Sequence, residues 1–230
     1  RHFNAPQHFA PLSPDGTQID DGLRRSQFGG TIGGPIVHDK LFFFGGYQGT
    51  VRRQVPASNI AYVPTAQMLA GDFTTITSPA CAGRQINLGA PFVGNRIDPA
   101  RFSPAAVNLV KRLPQTTDPC GQITYAIAHD QDEQMPVVRI DYQMTQSQTF
   151  FGRYLGNRVV APAPWGGGSD NILKTSEAGT NDQFYSVVLG HTQVWSASLV
   201  NALRANYDTT KSHRGQDSAF FSPADVGVKM

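Results

Sequence analysis

The chain has 230 residues, with 19 Lys plus Arg against 17 Asp plus Glu and a formal net charge of +2. No basic cluster exceeds the pairs Arg24-Arg25, Arg52-Arg53 and Lys111-Arg112, which argues against nucleic acid as a partner. A composition of 23 Gly, 16 Pro and 14 Phe suits aromatic-rich strands joined by many turns, and no apolar run reaches the 18 or so residues of a membrane helix.

Residues 1–24 carry no apolar stretch of signal-peptide kind, and the chain reads as an internal piece of a longer protein. Two strand-like segments follow, Arg25 to Val37 and Lys40 to Gln54, separated by only His38 and Asp39. Together they form a hairpin unit, 25–54. Glycines weaken a strand packed in a soluble core, yet Leu41, Phe42, Phe43 and Phe44 stand in a row beside many of them. A wall that meets lipid accounts for both features, and it places Phe42 to Phe44 near the membrane interface just after the turn.

The connection 55–134 is too long for a structureless loop inside a compact domain. Thr65 is placed to cap a short helix through Ala66 to Ala70 that stops at Gly71, and Ser103 to cap one that begins at Pro104 and ends before Pro114. Asp130, Asp132 and Glu133 lack the spacing of a calcium loop and read as solvated charges.

The second hairpin, 135–159, contains the segments Met135 to Met144 and Gln148 to Val159 around Thr145-Gln146-Ser147. In MPVVRIDYQM, Val138, Ile140, Tyr142 and Met144 share one face, while Val137, Arg139, Asp141 and Gln143 share the other. Connection 160–182 contains Gly166-Gly167-Gly168-Ser169, which lacks the ending of a phosphate loop and reads as a flexible turn.

A third hairpin, 183–211, joins Gln183 to Trp195 and Ser198 to Lys211 through Ser196-Ala197, and 212–230 opens the next outer loop. Leu199, Leu203, Ala205 and Tyr207 share a parity with Asn201, opposite to Arg204, Asn206 and Asp208. Parity in QFYSVVLGHTQVW is blurred and assigns no face. Phe42, Phe43, Phe44, Tyr47, Trp195 and Tyr207 are candidate interface aromatics.

Short and long connections therefore alternate, as in an antiparallel up-and-down transmembrane β-barrel with short periplasmic turns and long outer loops. The expected fold is an all-β fragment of about six strands. A secreted β-sandwich binding carbohydrate or protein through its long loops is the alternative. His129, His191 and His213 are scattered, no nucleophile elbow or zinc-protease motif occurs, and no enzyme activity, cofactor or metal is expected.

QFGGTIGGPIVHDKLFFFGGYQGT at 27–50 resembles the hairpin of Oar-like TonB-dependent outer-membrane receptors. VPTAQMLAGDF, NRIDPARFSPAAVNLVKRLP, VVRIDYQMTQSQTFFGRY and VLGHTQVWSASLVNALRANY, in that order, extend the resemblance over about residues 25–210. It implies an early slice of a plug-filled barrel in the outer membrane of a Gram-negative cell, with residues 1–24 the end of the first outer loop. The plug and the TonB-contacting box lie upstream in that family and outside this sequence. The implied partners are the TonB complex, outer-membrane lipid and an unknown scarce ligand. Arg139, Asp141 and Arg153, if lumenal, would pair across their hairpin or touch the plug. In an exported protein Cys81 and Cys120 would be either bonded to each other or two free thiols.

Overall fold

The computed structural model describes residues 16, 22–55, 59–164, 171–176, 178–215 and 221–229. Most of the proposed loop 1–24 and the Gly166–Ser169 run lie outside the described residues. Six long strands form one antiparallel sheet: β1 (Arg24–Val37), β2 (Leu41–Arg53), β5 (Gln131–Thr145), β6 (Gln148–Ala161), β7 (Gly179–Ser196) and β8 (Leu199–Gly215), in that order. Short strands β3 (Asn59–Tyr62) and β4 (Gln122–Tyr125) pair separately. The up-and-down antiparallel order expected of the wall is thus present, with β1 and β8 as open edges.

The three tight turns 38–40, 146–147 and 197–198 fall on one rim, because strand direction alternates across the antiparallel sheet and they are every second connection. On that rim every hairpin carries a register shift, at Pro35/Val37, Gln143/Thr145 and Val194/Ser196. A bulge adds one residue to a strand and increases its bend and twist. The long connections lie on the opposite rim.

β5 begins at Gln131 and β7 at Gly179, earlier than apolar alternation shows, and β8 continues to Gly215. These extensions, such as QDEQ and GTND, are polar on both faces. Alternation between apolar and polar cannot report a strand that has water on both sides.

The side-chain burial is unusual for a β protein. The buried hydrophobic residues among those described are Val63, Ile127 and Val226, and none belongs to the six-stranded sheet. No second sheet of comparable size packs on it among the described residues, so the layer that a sandwich needs is missing.

The long connection is folded instead. It contains three short helices, α1 (Ala66–Leu69), α2 (Pro79–Ala82) and α3 (Pro104–Val110), and a cluster in which Phe73 meets Phe92 edge-on at 5.3 Å and Phe102 at 6.4 Å. Buried Asn95 donates to Thr77 Oγ1 at 2.7 Å and to the Ile86 carbonyl at 2.8 Å, and its Oδ1 accepts from Leu88 N–H at 2.8 Å. Thr65 Oγ1 accepts from Met68 N–H at 3.2 Å and caps α1. Ser103 makes no side-chain cap bond; Pro104 at the first position starts α3. Cys81 and Cys120 are joined by a disulfide, S–S 2.01 Å.

Candidate functional site

Register fixes which side chains share a face of the wall. One row runs Ile32, Gly45, Val138, Tyr154, Val187, Tyr207, and another runs Phe43, Ile140, Gly152, Leu189, Ala205. This apolar face is open to solvent: Ile32 is 70% exposed, Leu189 59% and Tyr207 69%. A soluble monomer rarely shows a continuous apolar patch of such extent. Along β5 the run Pro136–Met144 is about 27 Å long at roughly 3.4 Å per residue, a membrane-strand length.

The opposite face carries the rows Gly33, Phe44, Arg139, Arg153, Val188, Asn206 and Pro35, Phe42, Asp141, Phe151, Gly190, Arg204. Successive strand residues point to opposite faces, so the Phe42 to Phe44 run cannot all lie at the lipid interface. Phe43 and Tyr47 belong to the apolar face, whereas Phe42 and Phe44 stand among the charges. Trp195, 68% exposed, lies beside the β7–β8 turn, and Tyr207 is centred on the apolar face.

Arg139 and Asp141 pair along one strand rather than across the hairpin. Arg139 Nε donates to Asp141 Oδ2 at 2.7 Å and Nη2 to Oδ1 at 2.6 Å. The guanidinium also lies 4.3 Å from the Phe151 ring centroid, a cation–π contact. Phe151 in turn covers Gly190, where any Cβ would clash with the ring. Arg153 stands directly opposite Arg139, a repulsive placement. The Arg139–Asp141 fork offsets it, and Arg153 acts electrostatically on Asp208, which accepts from Ser186 and from Asn206 Nδ2 at 2.9 Å.

Apolar alternation locates Arg139, Asp141, Arg153 and Asp208 but misses Phe151, Gly190 and Ser186, which join them only through strand register. An aromatic facing a glycine across two strands is the available signal, and it needs the register first.

At the long-loop rim, Arg53 Nη1 contacts Asp132 Oδ1 at 2.6 Å and its Nε lies 3.9 Å from Asp130. Asn157 Nδ2 donates to Glu133 Oε1 at 3.1 Å. The three acidic residues thus serve the strand ends. Three long connections meet around α3: Arg112 lies 4.5 Å from the Phe221 ring centroid, its carbonyl accepts from Ile172 N–H at 3.1 Å, and Asn108 Nδ2 reaches the Val226 carbonyl at 3.4 Å.

Within this folded region Asp72 is held well below the usual carboxylate range. Hydrogen bonds from the Thr74 hydroxyl and backbone N–H are the main causes, with Gln67 and Arg96 adding to them.

An exposed apolar face, a charged opposite face, tight turns on one rim and folded loops on the other describe the wall of a membrane barrel. A family model described as outer membrane beta barrel domain matches residues 1–229. Comparison with curated proteins and with solved structures returned no match. The chain belongs to the outer membrane β-barrel domain family, and its place is the outer membrane of a Gram-negative cell.

Proposed function

We propose that this wall belongs to a TonB-dependent receptor that takes up a scarce ligand with energy relayed from the inner membrane. The observation that carries the reading is the mixed character of the inward face. Phe42, Phe44, Val137, Phe151, Leu155 and Val188 share it with Arg139, Asp141, Arg153 and Arg204. A water-filled channel would leave those apolar groups wet, whereas a packed plug would bury them and pair with the charges between them.

In this reading the plug lies elsewhere in the protein and contacts TonB, and the wall takes no catalytic part. The folded outer connections supply the ligand-facing surface, held together around Arg112. The resemblance of residues 27–50 to the Oar-like hairpin supports the same assignment.

The test compares strains with and without the gene, each with TonB present or absent, for uptake of ferric siderophores, oligosaccharides and peptides. Uptake of one ligand class that needs both the gene and TonB is expected. Gene-dependent entry that continues undiminished without TonB would overturn the proposal and leave a passive pore.

A further inference from the structure

The outward face ends differently at its two rims. Toward the short turns its last polar row is Gln148, Gln193 and Asn201, without charge. Toward the long loops the row above the aromatics is Arg158, Gln183 and Lys211. Arg158 and Lys211 are both exposed, and neither has a carboxylate partner among the described residues.

Their geometry suits an anion. Neighbouring strands lie about 4.8 Å apart, so the two backbones are roughly 10 Å apart with Gln183 between them, and two long cationic side chains can converge on one phosphate. Arg158 Nε donates to Asn181 Oδ1 at 3.3 Å, which leaves its terminal amino groups free. Gln183 Oε1 accepts from the Tyr185 hydroxyl at 3.1 Å, which leaves its amide nitrogen as a third donor.

Directly below on the same face come Tyr185, then Tyr154, Val187 and Tyr207, and then the low positions Gly152 and Ala205 on either side of Leu189. Gly152 and Ala205 belong to an apolar groove of about 430 Å³, bounded also by Ile140, Phe150 and Leu203. The groove continues the face that meets the bilayer, and the cations stand only at its outer end.

We infer that this is a binding site for a phosphate-bearing lipid of net negative charge. Its headgroup phosphate sits between Arg158 and Lys211, and an acyl chain lies along the tyrosines into the Gly152–Ala205 groove. Charge complementarity supplies the headgroup attraction, and the low floor beside Leu189 supplies chain contact.

The intact protein, purified in detergent, would be titrated with phosphatidylglycerol, phosphatidylcholine and inorganic phosphate and examined by native mass spectrometry. Phosphatidylglycerol should bind at least tenfold more tightly than phosphatidylcholine. The double substitution Arg158→Gln, Lys211→Gln should remove that preference, while Arg158→Lys and the inward-face Arg204→Gln should keep it. Equal binding of the two lipids, an unchanged preference in the double variant, or displacement of lipid by inorganic phosphate would overturn the assignment. The Arg158→Lys variant separates charge from folding, because it preserves the cation on the same exposed strand.

Discussion

The sheet and the folded connection 55–134 are both rich in aromatic residues, yet they place them oppositely. In the connection, Phe73, Phe92 and Phe102 turn inward on one another near the buried hydrogen-bond hub of Asn95. In the sheet, Phe28, Tyr142 and Tyr207 point away from the protein. The connection folds as a small water-soluble protein does, with a staple because its core is small. The outward face of the sheet leaves its large apolar side chains open, because its solvent is hydrocarbon and only the backbone must be satisfied internally.

Charge placed on adjacent residues of β7 sharpens the contrast most. Leu189→Arg should destabilise the folded barrel by about 2–4 kcal/mol, as a cation near mid-membrane does, and Val188→Arg on the inward face should cost clearly less. Refolding into lipid vesicles across a urea series reads both. Equal costs would mean that the faces are not divided between lipid and lumen.

The disulfide should matter to the connection alone. Replacing Cys81 and Cys120 with Ser should loosen the connection by about 2–4 kcal/mol, seen as rapid protease cleavage between residues 64 and 120 with the strand circular dichroism unchanged. Asn95→Ala removes three side-chain hydrogen bonds at a position of φ 60°, and about 1–3 kcal/mol of local stability should go with them. Hydrogen exchange at Leu88 reads this directly. Thr65→Ala, which deletes the α1 cap, should cost about 1 kcal/mol in the same assay.

Acid gives the smallest effect. Because the Asp72 carboxyl is lowered in the folded state, its contribution is present above the ordinary carboxylate range and is lost as pH falls below it toward the folded value. The connection should therefore show no Asp72-linked change between pH 7 and pH 5. Protection should weaken only in strong acid, and Asp72→Asn should abolish that dependence. A loss already complete at pH 5 would contradict the sign.

The barrel wall was legible in the sequence wherever one face is apolar and the other polar. On β5 and β8 the alternation of Ile140 against Asp141, or of Tyr207 against Asp208, assigns faces without a structure. β7 resisted because Phe184 and Val188 compete with Tyr185 and Leu189, and only pairing with β6 and β8 decides between them. Phe42 and Phe44 misled through a consecutive apolar run, which reports hydrophobicity without direction. NIAY and QITY, the β3–β4 pair, are too short to show a period. The site residues were half visible: Arg139, Asp141 and Arg153 stood out by charge, while Phe151 over Gly190 depends on strand register that local pattern does not encode.

The base of the connection has a kinetic consequence. Pairing of β2 with β5 reaches Arg52 opposite Gln131, His129 N–H then donates to the Gln54 carbonyl at 2.7 Å, Asn59 pairs with Tyr125, and Val63 N–H donates to the Gly121 carbonyl at 2.8 Å. The two arms are therefore zipped from the sheet outward. Joining β2 to β5 carries the largest loop-closure cost in assembling the wall, since it must close the longest excursion of the chain. A connection that folds early brings its own ends together, and for the strands behind it the contact becomes almost as local as a hairpin.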